Sequence, residues 1–372
     1  MSHTTSRSRT AARRLAVLAV LVAVLALATG WSATAGPKLT LMTRNMDQGS
    51  DFGAVFAATD DASFAAGIAL TVAEVKGSNI PARAAGLADE ILAAKPDLVA
   101  LQEVGLWRTG PIMQPPAATV LYDQLDLLMA ELAKRDLHYA VAAVQTLYDL
   151  EAPVPTEGTD LRITDRNVIL ARNDLPQSQF DVTAAQTQRY QATFAFGSAL
   201  LGQLTLPRGF VAVDVNAGGR KFRFVNTHLE STYPGVPQGA DAQLAQTGEL
   251  LAFLATAPGA VILAGDLNAN AEAGPEHTGA TQKIAAAGFS DAWSSVHPGN
   301  PGYSWPCFIS DPAVPAAVTN ERIDLIFTRG FGPVWFGHDS MVIGADLVGT
   351  TKGSSGLFTS DHAGLVVKIQ LP

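Results

Sequence analysis

The sequence predicts a mixed α/β domain (α+β class) whose sheets contain both parallel and antiparallel strands. Apolar runs of strand length alternate with segments of helical spacing, which is the order typical of strand–helix–strand units. Residues 210–226 read instead as two alternating strands around Ala217-Gly218-Gly219, and this indicates an antiparallel hairpin. Hairpins beside strand–helix–strand units indicate mixed sheets rather than a purely parallel sheet.

Each element follows from a local signal. The predicted strands are short apolar or alternating runs at 39–44, 98–101, 210–215, 221–226, 261–264, 322–328 and 365–371. The predicted helices are 81–94, which has a proline near its start, 122–134, whose leucines recur at helical spacing, and 243–254. Residues 46–79 and 105–118 fit no compact element, so we expect ordinary surface loops there or part of the rim of a cleft.

The first 35 residues have the features of a secretory signal peptide. Four arginines precede a continuously apolar run at 15–28, and Ala33-Thr34-Ala35 supplies small residues for cleavage before Gly36. An uncleaved membrane anchor is the alternative, but a bilayer span needs about 20 apolar residues, more than this run contains. We therefore expect a secreted protein with no stable membrane insertion and a single domain at 36–372. The export route, Sec or twin-arginine through Arg13-Arg14, stays open.

Charge and cysteine content narrow the class of protein. The net charge is −9, and the expected signal peptide contains arginines but no acid, so the secreted chain is more acidic still. Such a balance argues against a protein that coats nucleic acid, although it does not exclude a nuclease with a locally positive site. Cys307 is the single cysteine, so the chain has no intramolecular disulfide. We expect a monomer.

Five apolar runs that lie far apart in the chain end in the same kinds of polar side chain. The residues at their ends are Asn45, Glu103, His228, Asp266 with Asn268, and Asp361 with His362. Such endings are typical of a sheet that carries its site at the strand ends. Mg²⁺ takes oxygen ligands and keeps several waters, so one or two of these carboxylates plus substrate oxygens would hold it. The pattern therefore predicts metal-dependent hydrolysis of a phosphoester.

Two acids in this set are hard to explain as packing residues. Glu103 closes the run Leu98–Leu101, and a carboxylate there would be costly to bury without a cation or a partner. Asp324 lies inside the apolar strand IDLIF and needs a partner, for which a histidine is the obvious choice.

The remaining candidates also have structural interpretations. The segments 265–268 (GDLN) and 359–362 (TSDH) read as turns, because Asp, Asn and Ser favour turns. A lone histidine such as His228 is more often a hydrogen-bonded packing residue than a catalyst. Asp266 and Asn268 are two positions apart, so on a strand they point the same way and can face one phosphate.

Taken jointly and in this order, the motifs resemble the endonuclease/exonuclease/phosphatase superfamily, which includes deoxyribonuclease I-like nucleases, apurinic-site endonucleases, neutral sphingomyelinases and inositol polyphosphate 5-phosphatases. The matching pieces are RN (44–45), LQE (101–103), NTHLE (226–230), GDLN (265–268), RIDLIF (322–327) and SDH (360–362). The resemblance implies a four-layered α/β/β/α sandwich, with two mixed sheets packed face to face, flanking helices and the site at one edge.

The resemblance also implies a metal centre that holds Mg²⁺, or Mn²⁺ in its place. Glu103 would be the principal ligand, with Asn45 and Asp361 completing the metal shell or hydrogen-bonding to it. Asp47 is a possible further ligand, as an acid is in the apurinic-site nucleases, although a solvent-facing turn explains it at least as well.

The same resemblance assigns the residues that act on the phosphate. Asp266 would orient and deprotonate the attacking water, and Asn268 would support that water and the phosphate oxygens. His228 and His362 would contact the scissile phosphate, with Asp324 holding the tautomer of His362 and stabilising its charged form. These roles suit phosphoryl transfer, which depends on in-line placement and charge stabilisation.

The sequence indicates the class of substrate less closely than it indicates the reaction. The basic residues of the domain are scattered, and Arg166 is the best candidate for an added phosphate contact, with a surface salt bridge as the alternative. Tyr303, Trp305 and Phe308 could form a platform for a base or a lipid, or pack under a loop. We expect an exported metal-dependent phosphodiesterase or phosphatase of small-molecule or lipid substrates; the alternatives are a secreted nuclease and a non-catalytic binding protein with this fold.

Overall fold

Two mixed β-sheets form the centre of the structure, a computed structural model that describes residues 36–372 apart from 115, 199, 201, 233–236, 273–277, 333, 336–337 and 340. The expected signal peptide lies outside the described residues. The larger sheet contains eight strands: β1 (Lys38–Asn45), β2 (Leu98–Gln102), β3 (Leu106–Pro111), β4 (Thr119–Asp123), β5 (Tyr139–Val154), β6 (Thr159–Arg172), β17 (Val342–Val348) and β18 (Gly364–Gln370).

The second sheet contains six strands, and two short hairpins stand apart from both sheets. The six strands are β7 (Phe180–Arg189), β10 (Gly209–Ala217), β11 (Arg220–His228), β12 (Ala260–Asp266), β13 (Ser290–Asp291) and β14 (Asp324–Arg329). The hairpins pair β8 (Ala195–Ser198) with β9 (Gly202–Thr205), and β15 (Val334–Trp335) with β16 (His338–Asp339).

Helices cover the outer faces of the two sheets. They are α1 (Gly53–Phe56), α2 (Asp61–Gly77), α3 (Ile80–Ala94), α4 (Gln124–Lys134), α5 (Pro237–Ala255) and α6 (Ala280–Ala286). A further short helix, α7 (Ala292–Val296), packs instead against the core between the two sheets. Among the described residues, no helix is both long and apolar enough to cross a bilayer.

The layers are held together by separate apolar cores. Leu41 and Ile169 of the larger sheet share a core with Phe224 and Ile262 of the second sheet, so the two sheets pack face to face. A second core joins the outer face of the larger sheet to α3 and α4, and a third joins the outer face of the second sheet to α5 and α6. These layers confirm the predicted α/β/β/α sandwich.

Strand direction brings the polar strand ends to one edge. In each sheet a parallel pair lies at the centre, β1 with β2 and β11 with β12, while the strands that flank them, β18 and β14, run antiparallel. The carboxyl ends of the parallel strands therefore meet the amino ends of the antiparallel strands. Across the second sheet this register sets His228 beside Asp266 and Asp266 beside Asp324.

Most predicted elements are observed, and three predictions were wrong in part. Residues 46–79, expected to be loops, contain the helix α2, which begins with a capping box between Asp60 and Ser63. Residues 105–118, also expected to be loops, contain the strand β3. The helix predicted at 122–134 begins only at Gln124, because residues 119–123 form β4 and the Asp123 side chain caps the helix.

Candidate active site

The carboxamide of Asn45, the last residue of β1, lies at the centre of the polar edge. Its Nδ2 lies 3.2 Å from Oε1 of Glu103, 3.0 Å from Oδ2 of Asp266 and 3.4 Å from Nε2 of His362. Its Oδ1 accepts the backbone N–H of Asp47 at 2.8 Å, so the carboxamide turns its donor group toward the acids. One side chain of the larger sheet therefore joins groups from both sheets.

The neighbouring Arg44 fixes the segment that carries Asp361 and His362. Its guanidinium is fully buried and ion-paired with Glu90 at 3.0 Å. It also donates to the backbone carbonyl of His362 and, at 2.5 Å, to Oγ1 of Thr359. A buried guanidinium is tolerated when its donors are satisfied, and here they tie β1 to the chain just before β18.

Glu103 follows β2 in a left-handed conformation, with φ of 53°. Its Oε2 accepts the backbone N–H of Gln48 at 3.1 Å. Burial raises the pKa of this carboxyl, and the negative charges of Asp361 and Asp47 raise it further. Burial likewise raises the pKa of Asp361 to about 6, and its Oδ2 accepts the indole N–H of Trp305 at 3.3 Å. Neighbouring carboxylates disfavour one another's ionised forms, so a cation bound between them would be stabilising.

Asp266 ends β12 and is almost fully buried. Burial raises its pKa to about 6. The glycine before it is required, because a Cβ at Gly265 would lie 2.0 Å from the Thr227 carbonyl and its φ is 151°. Asn268 lies beyond the strand at φ 47°, with its backbone N–H donating to Asp266 Oδ1 at 2.9 Å and its Nδ2 donating to the Leu229 carbonyl at 3.0 Å.

His362 and Asp324 form a buried pair. Nδ1 of His362 lies 2.8 Å from Oδ2 of Asp324. Burial alone would lower the pKa of this imidazole, but the carboxylates of Asp324, Asp361 and Asp266 outweigh burial and raise the pKa well above its ordinary value. His362 is therefore the charged histidine of the site, and its Nε2 points toward Asn45.

His228 lies in the opposite electrostatic environment. Its Nε2 lies 3.5 Å from Oδ2 of Asp266, while Nη1 of Arg208 lies 2.9 Å from Nε2 and 3.1 Å from Nδ1. Burial, and then the positive charges of Arg208 and His362, hold its pKa well below the ordinary value. His228 is therefore neutral where His362 is charged.

This arrangement agrees with the comparison to known families. The model of the Endonuclease/Exonuclease/phosphatase family matches residues 73–362. The chain belongs to this family. Members of the endonuclease/exonuclease/phosphatase family are metal-dependent phosphoester hydrolases, so the chain has the fold of that class of enzyme. No curated protein matches the sequence.

Solved structures of the same superfamily share the fold. An endonuclease/exonuclease/phosphatase from Beutenbergia cavernae is 21% identical, with a TM-score of 0.53 over 90% of this chain and 72% of that chain. A humanized D. rerio TDP2 with 14 mutations is 19% identical, with a TM-score of 0.52 over 89% and 98% of the two chains. D. rerio TDP2 complexed with single-strand DNA product is 18% identical, with a TM-score of 0.50 over 89% and 98%.

The donor groups fit the divalent cation that the family uses. Ligand atoms of Glu103, His228 and Asp266 lie within 4.8 Å of one another. Ligand atoms of Asp266, Asp324 and His362 also lie this close together. Their proximity is explained by the hydrogen bond between Asp324 and His362, without a metal. A bound hard cation would stabilise the ionised forms of carboxyl groups whose pKa values are raised, so Glu103 and its neighbours are suited to hold one. In this structure Asn45 presents a donor, which suits hydrogen bonding to a metal shell.

The structure thus brings all eight residues singled out in the sequence to one edge, and their individual roles stay predictions. The argument that Asp266 and Asn268 share a strand face was wrong, because the strand ends at Asp266 and Asn268 adopts a left-handed turn. The solvent-facing interpretation of Asp47 was also wrong, since its Oδ2 lies 3.1 Å from Nη2 of buried Arg83. Arg166 forms a salt bridge with Asp123 at 2.6 Å, but this ion pair is largely buried and not at the surface as the alternative assumed.

Two further residues contribute to the site, and the sequence predicted neither of their contacts. Arg208 was one of several scattered basic residues, and only the structure places it against His228. Trp305 belonged to a proposed aromatic platform; its indole donates to Asp361, whereas Phe308 is buried against Phe358 at a ring distance of 6.3 Å. The platform is therefore divided between a site residue and a packing residue.

Proposed function

We propose that this chain is an exported, Mg²⁺-dependent hydrolase that acts on small-molecule or lipid phosphoesters as a phosphodiesterase or phosphatase. The observation that carries the proposal is the charged His362–Asp324 pair beside the buried carboxyl of Asp266, with Glu103 on the other side of Asn45. The Asn45 side chain contacts all three kinds of group: the charged imidazole of His362, the candidate base Asp266 and the candidate metal ligand Glu103. This is the set of groups that phosphoester hydrolysis needs.

In the proposed reaction the role of each residue follows from its protonation state. Asp266 accepts a proton from water, and Asn268 and Asn45 keep this carboxylate in place. Charged His362 stabilises negative charge on the phosphoryl oxygens, while neutral His228 donates a hydrogen bond to them. Bound Mg²⁺ supplies further charge neutralisation, and Glu103 with Asp361 would hold it.

The basic side chains support a small substrate rather than a long nucleic acid. Four arginines of the domain are paired with acids: Arg108 with Asp149, Arg166 with Asp123, Arg223 with Asp214 and Arg322 with Asp291. Nucleic-acid affinity comes from cations that neutralise successive phosphates. Arginines that are already ion-paired with acids of the protein contribute little to binding the successive phosphates of a nucleic acid.

A substrate panel tests the proposal. Purified 36–372 protein would be assayed with a bis-aryl phosphodiester, an aryl phosphomonoester, sphingomyelin and plasmid DNA, each with Mg²⁺ and with excess chelator. We expect Mg²⁺-dependent hydrolysis of at least one of the first three and slower or no cleavage of DNA. Preferential cleavage of DNA would establish the nuclease alternative, and no hydrolysis of any substrate would favour a non-catalytic binding protein.

Export is tested separately, on the producing cell. The charged start, the apolar run 15–28 and Ala33-Thr34-Ala35 support cleavage before Gly36. Mass spectrometry of protein recovered outside the cell should show a chain that begins at or near Gly36. An intact chain starting at Met1 and embedded in membrane would contradict export and support the anchor alternative.

A further inference from the structure

Arg208 is held where the two sheets approach each other. Its backbone carbonyl accepts the N–H of Tyr190 at 3.0 Å. The next carbonyl, of Gly209, accepts Nδ2 of Asn167 at 3.1 Å from the larger sheet and Oγ1 of Thr227 at 3.2 Å from its own sheet. A Cβ at Gly209 would lie 2.5 Å from the Gln188 carbonyl, so no larger residue fits this approach. The backbone of Arg208 is therefore fixed by both sheets.

The side chain of Arg208 lies against the ring of His228. Nη1 is at hydrogen-bond distance from both ring nitrogens, 2.9 Å from Nε2 and 3.1 Å from Nδ1. A single nitrogen this close to both must lie across the ring rather than along one lone pair. The guanidinium is planar, and planar guanidinium groups pack on ring faces. This contact restricts rotation of the imidazole.

Two buried acids lie within electrostatic reach of the Arg208 guanidinium. Nε of Arg208 lies 3.8 Å from Oε1 of Glu230, whose side chain is almost fully buried. Asp165 of β6 is also fully buried, and the charge of Arg208 counteracts the rise of its pKa that burial and Glu103 cause. Two carboxylates within electrostatic reach of one guanidinium offset the cost of burying it.

We infer that Arg208 is a positioning residue that holds His228 in the orientation from which its ring meets the substrate phosphate. The inference rests on the proposed function for the identity of that ligand, but the positioning itself is a property of the free protein. The two histidines are then oriented by opposite means: His362 by the carboxylate of Asp324, and His228 by the guanidinium of Arg208.

The positioning is tested first without substrate or metal. Nitrogen-15 spectra of histidine-labelled protein in chelator would be recorded for the wild type and Arg208→Met, with His228→Ala to assign the signals. In the wild type we expect one protonated-type and one unprotonated-type ring nitrogen, the signature of a single neutral tautomer. In Arg208→Met the two signals should shift and broaden, because the freed ring samples more than one orientation. Unchanged signals would overturn the inference, whether or not the protein hydrolyses phosphoesters.

The second test measures turnover on the best substrate from the panel. Arg208→Met should lower kcat by roughly 10- to 100-fold with a smaller change in KM, as for a lost transition-state contact. Arg208→Lys, which keeps the charge without the planar group, should recover part of the loss. The double variant Arg208→Met with His228→Ala should be little slower than His228→Ala alone, since Arg208 would act through that ring.

Arg223→Met is the matched control. Arg223 lies in β11, is as buried as Arg208 and is ion-paired with Asp214 at 2.8 Å, away from the site. It should lose stability without changing kcat or the His228 signals. Losses of Arg208→Met and His228→Ala that add in the double variant, or a drop of kcat in Arg223→Met as large as in Arg208→Met, would show that Arg208 acts only through the general stability of the fold.

Discussion

Replacing Asp324 by Asn tests the charged pair at the centre of the proposed mechanism. The substitution keeps the size of the side chain but removes the negative charge that lies 2.8 Å from Nδ1 of His362. Asp324 does not face solvent, so water cannot take over its role. The pKa of His362 should therefore fall from its raised value, so the imidazole should lose its proton at a lower pH than in the wild type, while Asp361 and Asp266 still favour the charged form.

The size of the effect follows from the geometry of this contact. Hydrogen bonds to charged groups contribute about 1.5–3 kcal/mol, and each 1.36 kcal/mol of lost transition-state stabilisation lowers a rate about tenfold. Asp324→Asn should therefore lower kcat roughly 10- to 100-fold. His362→Ala, which removes the whole group, should lower it by about 10²-fold or more.

The pH dependence has a definite sign. In the wild type, His362 should stay charged, and kcat should not decline because of its deprotonation until the pH is well above 6.5. In Asp324→Asn the decline should begin at a lower pH than in the wild type, so the defect grows as the pH rises. Turnover profiles between pH 5 and 9, on a substrate from the panel with saturating Mg²⁺, measure this shift.

A double variant separates catalysis from packing. Asp324→Asn combined with His362→Ala should be little slower than His362→Ala alone, because residues that act as one unit are non-additive. Losses that multiply would show that the two residues act independently. A fall in thermal stability with normal turnover would return both to a packing role.

Three further predictions concern the acids and the glycine that shape the site. Glu103→Gln should weaken Mg²⁺ binding, measured by calorimetry, with little loss of stability; unchanged affinity would contradict its role as principal ligand. Asp361→Asn should raise the Tm of the chelator-treated protein at pH 7.5, because burial raises the pKa of this carboxyl from 3.8 to about 6, a cost of up to about 3 kcal/mol when it is ionised. That gain should vanish below pH 4, where the carboxyl is protonated in both folded and unfolded chains, and an equal gain at pH 3.5 would refute the electrostatic explanation. Gly265→Ala should destabilise the fold by about 3 kcal/mol or more, because the added Cβ would lie 2.0 Å from a backbone carbonyl; a chemical-denaturation midpoint equal to the wild type would contradict this.

Local patterns were enough to find the strands that carry the site. Buried strands such as β2 are short apolar runs, and the polar residue that ends each run is visible in the sequence. The charge inside IDLIF also required a partner, and the structure places His362 against Asp324. Local patterns failed where burial does not follow one helix face, as in α2, and where a strand has little apolar character, as in β3.

By itself the sequence determined the class of fold, the position of most strands and helices and the eight candidate site residues. This was possible because the apolar residues of a strand mark the part that is buried in a core, and the polar residue that follows them marks the end of that strand. Only the tertiary structure decided how the ends meet. Asn45 and Asp266 are 221 positions apart, and they touch because two sheets pack face to face with their polar edges aligned. Arg208 reaches His228 for a different reason: the register of the β10–β11 hairpin sets the neighbouring Gly209 opposite His228. The sequence predicted this hairpin, but its local pattern did not indicate which side chain at the open end would contact the ring.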